Sequence, residues 1–457
     1  MNNRWTTVAT LILLIASAAR GADAVSPPDI VFVLVDDLRW DALSYKNHPY
    51  VKTPHIDQLR MRGASFKNAF VTTSICCPSR ATYLTGVYAN QHGVIDNETS
   101  EYNPDVTPPV TKYLQQAGYR TAMLGKWHMG QTARPRRYFN HWVSFKGQGK
   151  YQDPLFNING KRVQESGYTT DILNDKAINF IKRQPKDRPY FLMLSHKAVH
   201  QPFQPAPRHA MAFGPDDQVK APESFLIDMK NKPLWQRRQL VRDVRWDWRT
   251  RDTESESIPE TIPLAPWEGD ARAINQFRCV AAVDDGIGRI VETLKQRGTL
   301  DKTLIIFTSD NGYFHWEHRR WDKRLAYEES LRIPMVMALP GKIQPNSTVT
   351  KLVSNLDFAP TVLSFAGVPV PKQMQGQTMT ALLDPKETQS TQPWRNELFY
   401  EYWVDLVHEI PTMIALRTDK YKLIRFPEIH DLDELYDLEA DPHELNNLAV
   451  DPAYSKL

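Results

Sequence analysis

The chain has 457 residues, 41% of them apolar and 24% charged, with 56 basic against 53 acidic side chains and a formal net charge of +3. That length can bury a large core, and that composition excludes both a disordered chain and a many-span membrane protein. The charge balance gives no bulk case for nucleic-acid binding, so any anionic ligand has to be read from local sites.

From the N-terminus, Arg4, the apolar stretch Val8–Ala19 and the small residues of Ala22-Asp23-Ala24 form the pattern of an export signal over residues 1–24. The apolar stretch falls short of the ~20 residues a membrane span requires. The expectation is an exported protein, periplasmic or secreted, with no stable membrane anchor. Asp29–Val35 reads as a buried parallel strand, and Asp36 and Asp37 follow it directly. Thr53-Pro54 opens a helix that Gly63 closes, and Thr107-Pro108 opens another that Gly118 closes. Between them a polar loop carrying Cys76 and Cys77 runs into a helix at Pro78, whose free N–H groups and dipole favour an anion or thiolate.

Tyr119–Leu124 and Tyr190–Leu194 repeat the buried parallel-strand pattern. Residues 201–266 break the regular order with a Pro-, Trp- and Arg-rich stretch that includes Trp235, Arg237, Arg238, Arg242, Arg245, Trp246 and Trp248. Such an insertion either shapes a substrate cleft or is structural. A helix from about Asp270 to Gln296 follows, with Cys279 in its core, then buried parallel strands at Thr303–Thr308 and Ile333–Leu339 and a helix over Asp357–Ala366. Alternation of strands and helices predicts a doubly wound α/β domain over residues 25–369. Leu398–Trp403 and Thr412–Arg425 read as antiparallel strands of a smaller C-terminal subdomain over 370–457.

Asp310 and Asn311 follow the strand at Thr303–Thr308 just as Asp36 and Asp37 follow the first strand. Ligands of open parallel sheets bind beyond the carboxyl ends of strands. Three carboxylates and an amide oxygen placed there suit Ca²⁺ or Mg²⁺ better than a soft metal.

The run Cys76-Cys77-Pro78-Ser79-Arg80 followed by Leu84-Thr85-Gly86 resembles the signature of the type I sulfatases of the alkaline phosphatase-like superfamily. Its Cys-Cys-Pro-Ser-Arg form is similar to that of N-acetylglucosamine-6-sulfatases and related glycosaminoglycan sulfatases. The resemblance implies a large mixed, mostly parallel sheet flanked by helices, with a smaller C-terminal subdomain containing an antiparallel sheet and a helix. It implies that a formylglycine-generating maturation enzyme oxidises Cys76 to formylglycine (3-oxoalanine). The hydrate of that aldehyde carries two hydroxyls, one to attack sulfur and form a covalent sulfo-enzyme intermediate, the other to expel sulfate.

Other segments continue the resemblance. Gly125-Lys126-Trp127-His128 looks like the family element whose lysine and histidine surround the modified residue. His200 matches a histidine that contacts sulfate or protonates the leaving oxygen, although Val199 replaces the usual proline and His196 competes for the role. Asp322-Lys323-Arg324 with Tyr327-Glu328-Glu329-Ser330 supplies the active-site lysine as Lys323, while His315 and His318 either bind substrate or decorate the rim. The implied catalytic set is Cys76, Arg80, Lys126, His128, His200 and Lys323. The implied ligands of one divalent cation, Ca²⁺ before Mg²⁺, are Asp36, Asp37, Cys76, Asp310 and Asn311. Leu435-Tyr436-Asp437-Leu438, Glu444 and Asn447 match a structural motif of the family's C-terminal region.

The expected substrate is a sulfated carbohydrate, with no nucleic acid as partner. Two alternatives stand beside it: a phosphonate monoester hydrolase or phosphodiesterase of the same superfamily, and a non-catalytic exported protein that binds sulfated glycans.

Overall fold

The structure, a computed structural model, describes residues 27–215, 219–225, 229–238, 271–384 and 393–455. The export signal over 1–24 lies outside the described residues, as do Arg242, Arg245, Trp246 and Trp248 of the insertion.

A ten-stranded sheet forms the centre, in the order β12-β2-β11-β8-β1-β7-β3-β4-β5-β6. Its middle strands are β8 (Thr303–Ser309), β1 (Asp29–Val35), β7 (Tyr190–Ser195), β3 (Arg120–Lys126) and β4 (His141–Phe145), all parallel to their neighbours in that group. β1 shows why such runs lack alternation. Val31, Val33 and Val35 enter the apolar layer on one face, and Ile30, Phe32 and Leu34 enter the layer on the other. Each fully buried side chain of this size contributes roughly 1.5–3 kcal/mol.

The first layer is covered by α1 (Pro54–Met61), α5 (Thr169–Lys182) and α6 (Ala271–Gln296), the second by α2 (Cys76–Thr85), α4 (Val110–Gln116) and α8 (Phe358–Phe365), with the one-turn α3 (Ala89–His92) beside α2. Cys279 lies on α6 and is fully buried, as expected.

Several expectations need correction. The strand read at Ile333–Leu339 is β11 (Met335–Ala338), and it is antiparallel to both β8 and β2 (Ala64–Phe70). Between β8 and β11 the chain makes short loops, a two-stranded ribbon and the one-turn α7 (Glu328–Leu331), with no long crossover helix, so it re-enters the sheet from the end it left. The helix expected from Thr107-Pro108 starts at Val110, because a residue before proline is steered away from helical backbone and Pro109 follows Pro108. Thr53 does not cap α1 with its side chain; Asp284 of α6 instead accepts the N–H groups of His55 and Ile56 at 3.1 and 2.8 Å. The polar loop expected before Pro78 is helix: α2 begins at Cys76 itself and all ten of its residues are buried. Pro78 is tolerated there because the first turn has no intrahelical use for its N–H.

The sheet's remaining strands are β5 (Leu155–Ile158), β6 (Lys161–Gln164) and β12 (Ser347–Ser354), with β9 (Phe314–His315) and β10 (Trp321–Asp322) in a small ribbon. Beyond 370 stands a four-stranded antiparallel sheet of β13 (Glu397–Tyr402), β14 (Met413–Thr418), β15 (Tyr421–Arg425) and β16 (Glu434–Asp437). The long run read at Thr412–Arg425 is thus a hairpin, β14 turning into β15. Leu398, Tyr400, Met413 and Ile424 of this sheet share one apolar core with Phe70, Ile75, Phe314 and Tyr327. Among the described residues, the α-helix in this region is the single turn Thr380–Leu383.

Candidate active site

The carboxyl ends of β8, β1, β7 and β3 lie in register, with Val35 opposite Ser309, Leu34 opposite Ser195 and Ser195 opposite Gly125. Residues that follow those ends therefore meet on one rim. Asp36 and Asp37 leave β1, Asp310 and Asn311 leave β8, and Lys126 ends β3; all five are fully buried. Oxygen atoms of Asp36, Asp37 and Asp310 lie within 4.8 Å of one another. Gly125 is required at the β3 end, since a Cβ there would stand 1.9 Å from the Ser195 carbonyl oxygen.

α2 delivers Cys76 and Arg80 to the same place. The Cys76 Sγ is 3.5 Å from Asp36 Oδ1. Gly86, in left-handed conformation with φ 67°, ends the helix by donating to Thr82 O at 2.8 Å, a conformation that favours glycine. Arg80 donates from Nε and Nη2 to Asp310 Oδ2 at 2.9 and 2.7 Å, and from Nη1 to Ser195 Oγ at 2.6 Å and Lys126 O at 3.0 Å. Cys77 is buried in the layer below, its thiol donating to His128 O at 3.0 Å and its N–H to Asn97 Oδ1 at 2.9 Å. The second thiol thus ties the Cys76 helix to the His128 loop.

Three cations balance the three carboxylates. Lys126 Nζ pairs with Asp36 Oδ2, Arg80 with Asp310, and Lys323 Nζ with Asp37 Oδ1 at 2.5 Å. Burial opposes the Lys126 charge, but Asp36 and Cys76 outweigh it and its pKa rises; Lys323 follows the same pattern through Asp37. Asp310 is raised, by burial and by its neighbour Asp36. Burial also pushes the Cys76 thiol up to about 11, against the pull of Lys126 and Lys323. At the helix N-terminus read from sequence as favouring an anion or thiolate, burial thus opposes the thiolate.

His200 Nε2 is 3.7 Å from Asp37 Oδ2, and its Nδ1 sits 2.7 Å from Gln201 O. A nitrogen of His200, Cys76 Sγ and an Asp36 oxygen also lie within 4.8 Å of one another. His196 takes no part: it is buried with both ring nitrogens unpaired among the described residues, its pKa pushed down to about 4 by burial against the pull of Asp171. His128 is half-buried with φ 64°, and burial, Lys126 and Arg80 hold it far below the usual imidazole range. His318 is remote from this chemistry. It stacks on Tyr327 at 4.0 Å between centroids, and its Nε2 lies 3.7 Å from Glu329 Oε2. His315 is a wall residue that stacks on Trp321.

Two side chains missed in the sequence belong here. Ser195, at the β7 end, receives Arg80 and donates to Lys126 O at 2.7 Å. Lys197, almost fully buried, donates to Gln201 O at 3.0 Å, and burial brings its pKa down to about 8 despite Asp36. Both sit within the motif around His196 and His200, and their burial was the missing signal. A surface groove of about 750 Å³ lined by His55, Asp171, Arg208 and Asp285 shares no residue with this cluster, and its charges pair among themselves.

The donor set fits a hard dication. Asp37 Oδ2 and Asn311 Oδ1 are buried without a hydrogen-bond partner; Asp37 belongs to the all-oxygen group at the rim, and Asn311 joins it by donating from Nδ2 to Asp37 Oδ1 at 2.7 Å. Unpaired buried oxygens of this kind are costly unless something polar meets them.

Three buried carboxylates, three buried cations and a thiol at a helix start thus stand together at the strand ends of the ten-stranded sheet. The family model described as Sulfatase matches residues 28–368, and the model N-sulphoglucosamine sulphohydrolase, C-terminal, matches 316–457. The chain belongs to the sulfatase family and is a sulfuric ester hydrolase. It is 34% identical over 479 residues to the N-acetylglucosamine-6-O-sulfatase of Bacteroides thetaiotaomicron, covering 94% of this chain and 84% of that protein. It is 29% identical over 496 residues to the N-acetylglucosamine-6-sulfatase of Capra hircus, covering 96% and 82%. A solved structure described as a complex with its substrate D-glucosamine-2-N,6-O-disulfate matches at a TM-score of 0.83 and 34% identity, covering 94% of this chain and 95% of that one.

Proposed function

We propose that this sulfatase hydrolyses sulfate esters of a sulfated carbohydrate, with formylglycine made from Cys76 as its nucleophile and one Ca²⁺ as its cation. The observation that carries the reading is Cys76 at 3.5 Å from Asp36, inside a ring of three carboxylates and three cations. The names of the two relatives and the bound substrate in the solved structure support a 6-sulfated glucosamine unit.

Asp36, Asp37, Asp310 and Asn311 would hold the cation, with position 76 facing it. The bound cation supplies polarisation of a sulfate oxygen and a lowered pKa for the attacking hydroxyl. Carboxylates and cations of the chain cancel, so the loaded site has a positive excess that a sulfate ester anion offsets. Arg80 and Ser195 fix Asp310 and the Lys126 backbone, which sets the spacing of the ring. Lys126 and Lys323 face the charge that grows on the transferring group, where fixed donors act most strongly. His200 turns Nε2 toward the cluster while its Nδ1–H donates to Gln201 O, and burial holds its pKa well below the usual imidazole range, so it would protonate the leaving oxygen only after first taking up a proton at Nε2.

Residues 25–369 form the catalytic unit and 370–457 the subdomain that closes its site loops. Residues 1–24 direct export to the periplasm or the medium; among the described residues no helix is long and apolar enough to cross a membrane. The purified, matured enzyme tests the reading against 6-sulfated N-acetylglucosamine, an aryl sulfate and an aryl phosphonate monoester. Turnover of the sulfated sugar is expected to lead. Preference for the phosphonate would replace the reading with a phosphonate hydrolase.

A further inference from the structure

Away from the rim, one buried histidine has nothing to bond. His318, in the turn between β9 and β10, is fully buried, and among the described residues neither of its ring nitrogens has a hydrogen-bond partner. The ring is fixed face to face on Tyr327, 4.0 Å between centroids. Its Nε2 lies 3.7 Å from Glu329 Oε2 on α7, an oxygen that is likewise buried without a hydrogen bond. Glu444, in the chain beyond β16, is fully buried and brings a third ligand atom; the three atoms lie within 4.8 Å of one another and share no residue with the rim groups.

Buried polar atoms without partners are costly, and the charges around these three say what would offset the cost. Lys422 Nζ is shared between Glu444 and Glu328, at 2.8 and 3.0 Å, and Arg417 also reaches Glu328 at 3.2 Å. Glu329 is left over, since its ion-pair neighbour among the described residues is His318. Burial, with Lys232 and Lys422, holds that imidazole far below its usual range, so it stands there as a neutral ligand and not as a cation. A proton on Glu329 would cancel the charge, yet 3.7 Å is too long for a hydrogen bond to His318. A neutral imidazole and two carboxylates are the donor set of a borderline dication. On tetrahedral zinc, ligands at about 2.1 Å stand about 3.4 Å from one another, close to the spacing of Nε2 and Oε2.

We infer that His318, Glu329 and Glu444 hold one Zn²⁺ as a structural ion, separate from the cation at the strand ends. The ion joins three segments far apart in sequence: the turn after β9, the helix α7 that follows the Lys323 segment, and the chain beyond β16. It thereby fastens the C-terminal sheet to the part of the catalytic domain that carries Lys323. The inference is independent of the sulfated-carbohydrate reading.

Metal content tests it. Wild-type protein produced in zinc-supplemented medium and gel-filtered in excess Ca²⁺, which fills the rim, should carry about one zinc per chain by plasma mass spectrometry. Asp310→Asn, altered at the rim, should carry it too, whereas His318→Gln and Glu329→Gln should hold less than about a tenth as much. Crystals of the wild-type protein give a readout that needs no variant to fold: an anomalous peak at the zinc edge is expected beside His318 Nε2. Wild-type protein without zinc, zinc located only at the rim, or full zinc retained in His318→Gln overturns the inference. The sulfatase reading stands or falls separately, on aryl sulfate turnover by the Ca²⁺-filled enzyme.

Discussion

Arg80→Met is the perturbation whose cost can be worked most fully from the structure. Methionine retains an unbranched apolar stem but removes four donated hydrogen bonds: two to Asp310 Oδ2, one to Ser195 Oγ and one to Lys126 O. The Lys126 carbonyl keeps its bond from Ser195, so the largest loss falls on Asp310. That carboxylate is fully buried, already raised by burial and by Asp36, and would lose its ion-pair partner. Breaking a buried pair by deleting one member costs about 3–5 kcal/mol. Urea unfolding followed by tryptophan fluorescence, in the presence of chelator, should show a loss of that size. Saturating Ca²⁺ should shrink it, because the cation takes over part of the Asp310 charge. Arg80→Lys, which keeps the charge and loses the fork, should fall between the two. A chelator-treated Arg80→Met protein within about 1 kcal/mol of wild type would refute the reasoning that this pair is a buried, mutually dependent unit.

Chelation followed by dialysis should abolish turnover and lower the melting temperature, with Ca²⁺ restoring both; a ligand at 100 times its Kd adds about 2.7 kcal/mol, and unchanged melting would argue against a bound cation. Lys232→Met should cost about 3–5 kcal/mol of stability while folded enzyme keeps its kcat, since buried Lys232 joins Tyr436, Tyr327 and Glu434 at 2.6, 3.0 and 3.3 Å far from the reacting groups; denaturant midpoints and steady-state rates measured on the same preparations check both halves. His92 is held down to about 3, from an ordinary 6.5, by burial, and its Nδ1 accepts the Val94 N–H at 3.1 Å. Because its folded pKa is depressed, its stabilising contribution is complete above 6.5 and is lost as pH falls toward 3. The unfolding midpoint of His92→Gln should therefore fall less steeply than wild type over that window.

What was legible in the sequence follows from which signals are local. Asp36, Asp37, Asp310 and Asn311 could be placed because each pair follows an apolar run, and the register of β1 and β8 then brings the two ends together. β2 was missed because Lys67 and Asn68 interrupt its apolar pattern, and β11 was given the wrong direction because periodicity carries no orientation. The choice between His200 and His196 depends on how the loop after β7 turns, which four residues of sequence do not encode. The roles of Glu444 and Lys422 were equally hidden. Glu444 accepts the Glu328 N–H at 2.8 Å while Lys422 pairs with Glu444 at 2.8 Å and Glu328 at 3.0 Å, so the C-terminal motif is structural through contacts made more than a hundred residues away. The helix start at Cys76 was misplaced for the opposite reason: Pro78 is a strong local signal, but proline is also accepted within a first turn.

The most direct test concerns position 76. Enzyme expressed with graded amounts of a formylglycine-generating partner can be divided into samples, each assayed on a sulfate ester and digested for mass spectrometry of the peptide that carries Cys76. The account predicts that the rate rises in proportion to the fraction of that peptide converted from cysteine to formylglycine, and that wholly unconverted protein is inactive. Full activity in a sample whose peptide is all cysteine would contradict it.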